Sequence, residues 1–124
     1  MIYSQAGSYT RKNLRVPISI PISYQVRGKS FEGDTYTLSQ DGVFIKTLEP
    51  LEENTLVSLR LNLPGEGREI EAEGRVINST ALKDALSSGG VSGMAVVFCK
   101  IKEVDRRRVH RFVKARARQM FRPE

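Results

Sequence analysis

Between Val16 and Val26 every second residue is Val, Ile or Tyr (Val16, Ile18, Ile20, Ile22, Tyr24, Val26), with Pro17, Ser19, Pro21, Ser23 and Gln25 at the alternate positions. A two-residue period predicts a half-buried strand. Both prolines fall on the outward set and remove backbone donors, which places the first part of this strand at a sheet edge or a bulge. Gly28-Lys29-Ser30 then turns the chain. A second strand follows from Phe31 to about Leu38, and Asp41-Gly42 supplies a tight hairpin turn before Val43-Phe44-Ile45. Thr55 to Leu63 alternates again, with Val57, Leu59, Leu61 and Leu63 on one face, until Pro64-Gly65-Glu66-Gly67 breaks it ahead of a strand from Arg68 to about Ser79. The Ser- and Gly-rich stretch Ala81 to Ser92 reads as a loop, and Gly93 to Cys99 as a short, fully buried strand.

The last segment changes period. Val109, Phe112, Val113, Ala117, Met120 and Phe121 recur at three- and four-residue spacing with arginines between them, which predicts one amphipathic helix from roughly Glu103 to Phe121. Glu103 and Asp105 in its first turn and Arg118 and Arg122 near its end suit the helix dipole. Such a helix spans about 27 Å at 1.5 Å per residue, enough to lie across a small barrel. About six short strands leave little room for parallel crossovers, and antiparallel closure removes exposed edges. The expected fold is therefore mostly β, a small antiparallel six-stranded, split β-barrel with a C-terminal α-helix.

Length and composition narrow the classes. A chain of 124 residues fits one domain and buries an adequate core without disulfides or a structural metal. The one cysteine, Cys99, ends an apolar run, where a free thiol is expected to act as a small buried hydrophobe. Residues 1–8 lack the charged and apolar regions of a signal peptide, and no apolar run approaches membrane-spanning length, so the expected location is cytoplasmic, with no transmembrane segment. The net charge of +6 is concentrated at one end: residues 102–124 hold nine Lys and Arg against three Asp and Glu, and residues 1–101 hold eleven of each. Such a basic segment either is a solvated helix face or meets an anionic partner. The helix lacks the exposed, interleaved aromatics of a single-strand binder, since Phe112 and Phe121 fall on its apolar face; this argues against nucleic acid. Self-association through Met120 and Phe121, giving a homodimer, stays open, because periodicity does not separate barrel packing from a dimer seam.

Catalytic machinery is not apparent. One Cys and one His cannot form a usual zinc site, and no P-loop, dinucleotide-binding or nucleophile-elbow motif occurs, so no metal and no cofactor are expected. His110 lies among Arg106, Arg107, Arg108 and Arg111, surroundings that suit a surface-helix histidine better than a catalytic base. Paired carboxylates such as Glu52 and Glu53 are present, but nothing places two across a cleft.

What remains is an R-x-x-x-R formed by Arg11 and Arg15 ahead of the first strand. The same spacing recurs at Arg107 and Arg111 and at Arg118 and Arg122 on the basic helix, so alone it is equally a solvated basic tail. Its companion is Thr37-Leu38-Ser39-Gln40-Asp41-Gly42. Residues two apart in a strand share a face, so Thr37 and Ser39 point the same way, with Gly42 leaving room for a ligand to approach the backbone. Taken alone, Ser39 and Gly42 also fit an ordinary turn.

In this combination the sequence resembles the PilZ domain, a bacterial family of small β-barrels that bind the second messenger cyclic di-GMP. The family pattern is R-x-x-x-R, then [DN]-x-S-x-x-G, then a late G-x-x-V-x-F-like strand and a C-terminal helix. Arg11, Arg15, Ser39 and Gly42 match, and Gly93, Val96 and Phe98 carry the late strand. The resemblance implies a flexible segment over residues 1–15 carrying the arginines, one domain over 10–122, and a cyclic di-GMP site built from Arg11, Arg15, Thr37, Ser39 and Gly42. It further implies a non-enzymatic receptor in which the ligand orders the N-terminal segment and a protein partner reads the changed surface. Arginine suits such a ligand because its planar fork bonds guanine O6 and N7, reaches phosphate or stacks on a base. The departure is Thr37, where the family has Asp or Asn. A carboxylate accepts from both the N1 and N2 donors of guanine, whereas a hydroxyl matches one poorly, a loss of about 1 to 3 kcal/mol. A barrel that has lost the nucleotide and serves as a protein-interaction adaptor is the alternative that Thr37 favours.

Overall fold

A computed structural model describes residues 14–120, within which lie β1 (Arg15–Pro17), β2 (Pro21–Val26), β3 (Lys29–Ser39), β4 (Gly42–Lys46), β5 (Leu56–Leu61), β6 (Ile70–Thr80), α1 (Leu82–Ser88), β7 (Gly93–Ile101) and α2 (Glu103–Met120). Strands β3, β2, β5, β6, β7 and β4 neighbour one another in that order, and β4 pairs back onto β3, closing a six-stranded barrel. Every pairing is antiparallel, and β1 is an extra strand laid against β3. The expected split barrel with a C-terminal helix is what forms.

The alternating run from Val16 to Val26 is interrupted rather than continuous. Val16, Ile18, Ile20, Ile22 and Tyr24 all point into the core as the period requires. Its two halves, however, lie along different stretches of β3: β1 opposite Thr37 to Ser39 and β2 opposite Lys29 to Asp34. Between them the chain bends so that β2 can also pair with β5. Thr35, fully buried, holds that bend: its Oγ1 accepts from the Ile20 N–H at 3.0 Å and donates to the Ile18 carbonyl, while its own N–H bonds the Ile20 carbonyl. The prolines sit on the outward face, as expected, and β1 is a sheet edge.

Three bulges shift the alternation. The register skips a residue at Tyr36 in β3, at Ile77 in β6 and at Cys99 in β7. An extra residue flips the inward set, so that Thr35 and then Leu38 face the core in β3. Tyr36 and Ile77 are left outside at 44% and 56% exposure, and Cys99 is exposed too. This corrects the expectation for Cys99: Phe98 takes the inward position, and the bulge turns the thiol out. It also corrects β7, which alternates rather than being buried on both faces.

Two local expectations change. The β2–β3 turn is Arg27-Gly28, with φ of 50° and 83°, closed by the Val26–Lys29 pair. The stretch Ala81 to Ser92 contains a short helix, α1, ended by Gly89 at φ 77°, whose N–H bonds the Ala85 carbonyl. Seven residues with only Ala85 buried give too little periodicity to stand out in the sequence.

Helix α2 packs Val109, Val113 and Ala117 into the core, with Phe112 partly buried beside them. Met120 is 47% exposed, and Phe121 lies outside the described residues. Arg108, assigned by its pattern to the polar face, is buried instead. Its Nε bonds Glu66 at 2.8 Å, Nη1 bonds Asp105 at 2.8 Å and Nη2 bonds the Arg68 carbonyl at 2.6 Å, which pins α2 to the β5–β6 loop. Burial alone pulls the guanidinium pKa down, but its hydrogen bonds to Asp105 and Glu66 and the charges on those carboxylates outweigh it, and the pKa is raised. Among the described residues no helix is long and apolar enough to cross a membrane.

Candidate functional site

Cross-strand register decides which side chains meet. The row Val16, Leu38, Val43 and Val96 runs across β1, β3, β4 and β7 on the inner face. The flanking rows Arg15, Ser39, Gly42, Val97 and Pro17, Thr37, Phe44, Ala95 therefore face outward together. Arg15, Thr37, Ser39 and Gly42 line a single groove of about 150 Å³, with Asp41, Phe44, Ile77, Ala95 and Val97 also on its walls. Four of the five residues singled out in the sequence are thus brought together. The fifth, Arg11, lies outside the described residues.

Ser39 is 8% exposed and braces its own turn: its Oγ accepts the Asp41 N–H at 3.2 Å and makes a long contact of 3.4 Å to the Gly42 carbonyl. The turn residues are Gln40 and Asp41, and Gly42 pairs with Ser39 as the first residue of β4. Gly42 has no left-handed backbone. A Cβ there would instead run into the Val96 carbonyl of β7, so what the missing side chain permits is close approach of β7, not of a ligand. Gly93 answers to the same constraint on the other side, where a Cβ would strike the Ile45 carbonyl.

Helix α2 reaches this turn through Arg106, whose Nη1 lies 3.3 Å from both the Gln40 carbonyl and Asp41 Oδ1. The Asp41 carbonyl in turn accepts the Phe98 N–H at 2.8 Å. Among the described residues the groove therefore carries one exposed guanidinium, Arg15, a braced hydroxyl, a carboxylate with a counter-charge, and apolar walls. That set suits a planar, polar-edged, anionic ligand. Sequence reasoning missed Phe44, Ala95 and Val97 as walls, although register from the β3–β4 hairpin points to Phe44. Ile77 and Arg106 had no sequence signal, because one depends on a bulge and the other on where α2 docks.

A larger concavity of about 590 Å³ lies over β2, β5, β6 and β7, lined by Ser23, Gln25, Arg60, Glu73 and Lys100 among others. Its charges are mixed, and Arg60 and Glu71 face each other at 3.8 Å with both side chains largely exposed. Size does not decide here: this wall lacks convergent groups of one purpose, while the smaller groove has them. Among the described residues no three His, Cys, Asp or Glu side chains cluster as metal ligands do.

Comparison with solved structures finds the same fold repeatedly. An inhibitor of motility from Bacillus subtilis (MotI/DgrA) superposes with a TM-score of 0.76 at 18% identity, covering 91% of this chain and 54% of that one. The PilZ domain of YcgR from Escherichia coli, solved with cyclic di-GMP, gives 0.62 at 14% identity over 89% of this chain and 93% of that one. The PlzA protein of Borreliella burgdorferi, in complex with cyclic di-GMP, gives 0.61 at 14% identity over 86% and 42%. The chain thus spans about half the length of the Bacillus protein. No curated protein matches the chain in sequence. The model of the PilZ domain matches residues 9–115, across the groove, the closed barrel and most of α2: the chain belongs to the PilZ domain family.

Proposed function

We propose that this chain is a non-enzymatic receptor for cyclic di-GMP, held at the groove over β1, β3, β4 and β7 by Arg11, Arg15, Thr37, Ser39 and Gly42. The observation that carries the proposal is the convergence on one groove of Arg15, from β1, with Thr37, Ser39 and Gly42, from the β3–β4 hairpin. The YcgR domain and PlzA, described with cyclic di-GMP, support the choice of ligand. At about 150 Å³ the groove is smaller than the roughly 300 Å³ of an ordinary small-molecule site. A dinucleotide therefore needs more wall, and the residues ahead of β1, which carry Arg11, are the segment to supply it. Ordering of that segment over the ligand is the switch, and a protein partner reads the new surface. A cytoplasmic location accords with an intracellular messenger.

Gly42 contributes by letting β7 and β4 approach rather than by touching the ligand, and Ser39 by fixing the turn as well as by its hydroxyl. Titration calorimetry tests the reading. Wild type is expected to release saturable heat with cyclic di-GMP, and Arg15→Ala to lose tenfold or more in affinity, about 1.4 kcal/mol. No heat at about 100 µM ligand, with wild type and Arg15→Ala alike, overturns it.

Thr37 favours a second reading, an adaptor that binds a protein and has lost the nucleotide. If the groove is otherwise intact, Thr37→Asp strengthens nucleotide binding; a variant that still fails to bind favours the adaptor.

A further inference from the structure

Guanine presents N1–H and the 2-amino group side by side, two donors that a carboxylate matches with two acceptors. Thr37 offers one hydroxyl in that role. Among the described residues lining the groove, only Asp41 carries a carboxylate. Its backbone is fixed on both sides, the N–H by Ser39 Oγ at 3.2 Å and the carbonyl by the Phe98 N–H at 2.8 Å. Arg106 holds Oδ1 at 3.3 Å, and no other side-chain or backbone donor among the described residues bonds the carboxylate. The Asp41 side chain is 47% exposed, so its carboxylate is within reach of a ligand in the groove.

We infer that Asp41 replaces the carboxylate missing at Thr37 and reads the guanine edge, with Arg106 as its positioning residue. This rests on the cyclic di-GMP reading above. Arg106 has two effects there. It orients the carboxylate through Oδ1, and its charge offsets the repulsion that a bare carboxylate would exert on the ligand's phosphates. A side chain held by one charged partner, on a backbone fixed at both its N–H and its carbonyl, loses little freedom on binding, which is what selectivity at an exposed turn requires.

The experiment compares two ligands that share phosphates, N1–H, O6 and N7 and differ only in the 2-amino group: cyclic di-GMP and its cyclic di-inosine analogue. Both are titrated into the full chain, wild type and Asp41→Asn, with the melting temperature of each protein recorded alongside. Asparagine keeps the size and the oxygen that Arg106 bonds, so the fold is retained, but its amide presents donors to the guanine donors. Wild type is expected to prefer cyclic di-GMP about tenfold, the size of one charge-assisted hydrogen bond. In Asp41→Asn that preference falls to within about twofold, because cyclic di-GMP loses more affinity than the inosine analogue, which offers the carboxylate only N1–H. Equal weakening of both ligands would mean that Asp41 only shapes the turn, and retention of the preference would mean that another group reads the 2-amino position; either result overturns the inference and leaves the receptor reading standing. Wild type that binds both ligands equally overturns it as well. Wild type that binds neither fails the receptor reading itself, and the inference with it.

Discussion

Thr35 shows how much one hydroxyl can decide. It lies at the bend where the chain passes from β1 to β2, and it bonds the Ile18 carbonyl and the Ile20 N–H, two backbone groups that no strand partner satisfies there. Thr35→Val keeps the shape and leaves both groups buried and unpaired. It is expected to cost about 2 to 4 kcal/mol, read as a lower urea midpoint with unchanged slope. Isolated residues were legible where chemistry alone speaks, as for Arg15 and Ser39. They were not where neighbours decide: the burial of Arg108 follows from Glu66 and Asp105, and the exposure of Cys99 from a skipped register. For Gly42 the sequence suggests room for a ligand, whereas the contact that excludes a side chain comes from β7, a strand more than fifty residues later.

The elements that form the groove are joined by one helix. α2 is tied to the β3–β4 turn by Arg106 and to the β5–β6 loop by Arg108, so the turn carrying Ser39 and Asp41 is supported from outside the sheet. The Arg106–Asp41 pair is partly exposed, and a pair of that kind contributes only about 0.2 to 1 kcal/mol. Arg106→Gln is therefore expected to leave global stability nearly unchanged while the amides of Asp41 and Gly42 exchange hydrogen faster, which native-state exchange measures directly. Unchanged exchange at those two amides would show that Ser39 and the Phe98 bond hold the turn without the helix. The strands were legible as elements because alternation survives in each. The break at Ile18 to Ile20 and helix α1 were not, since one needs the partner strand β5 and the other has too few buried positions to register.

For the whole molecule, a ligand that binds only the folded chain stabilises it by mass action. At a hundredfold excess over Kd that is about 2.7 kcal/mol, so cyclic di-GMP is expected to raise the melting temperature of wild type by roughly 10 °C. Arg15→Ala is expected to keep its own melting temperature and lose most of the rise. A rise of equal size in both proteins would place the ligand elsewhere than the groove. The sequence by itself determined the class of fold, the inward face of most strands and the amphipathic helix. These depend on period and local residue chemistry, which the chain carries without reference to its partners. Only the tertiary structure decided that β1 splits from β2, that three bulges turn Tyr36, Ile77 and Cys99 outward, and that Arg106 reaches Asp41. Those depend on register between strands distant in sequence and on where α2 seats. The groove exists because closing the barrel sets β7 beside β4, a contact that no local pattern encodes.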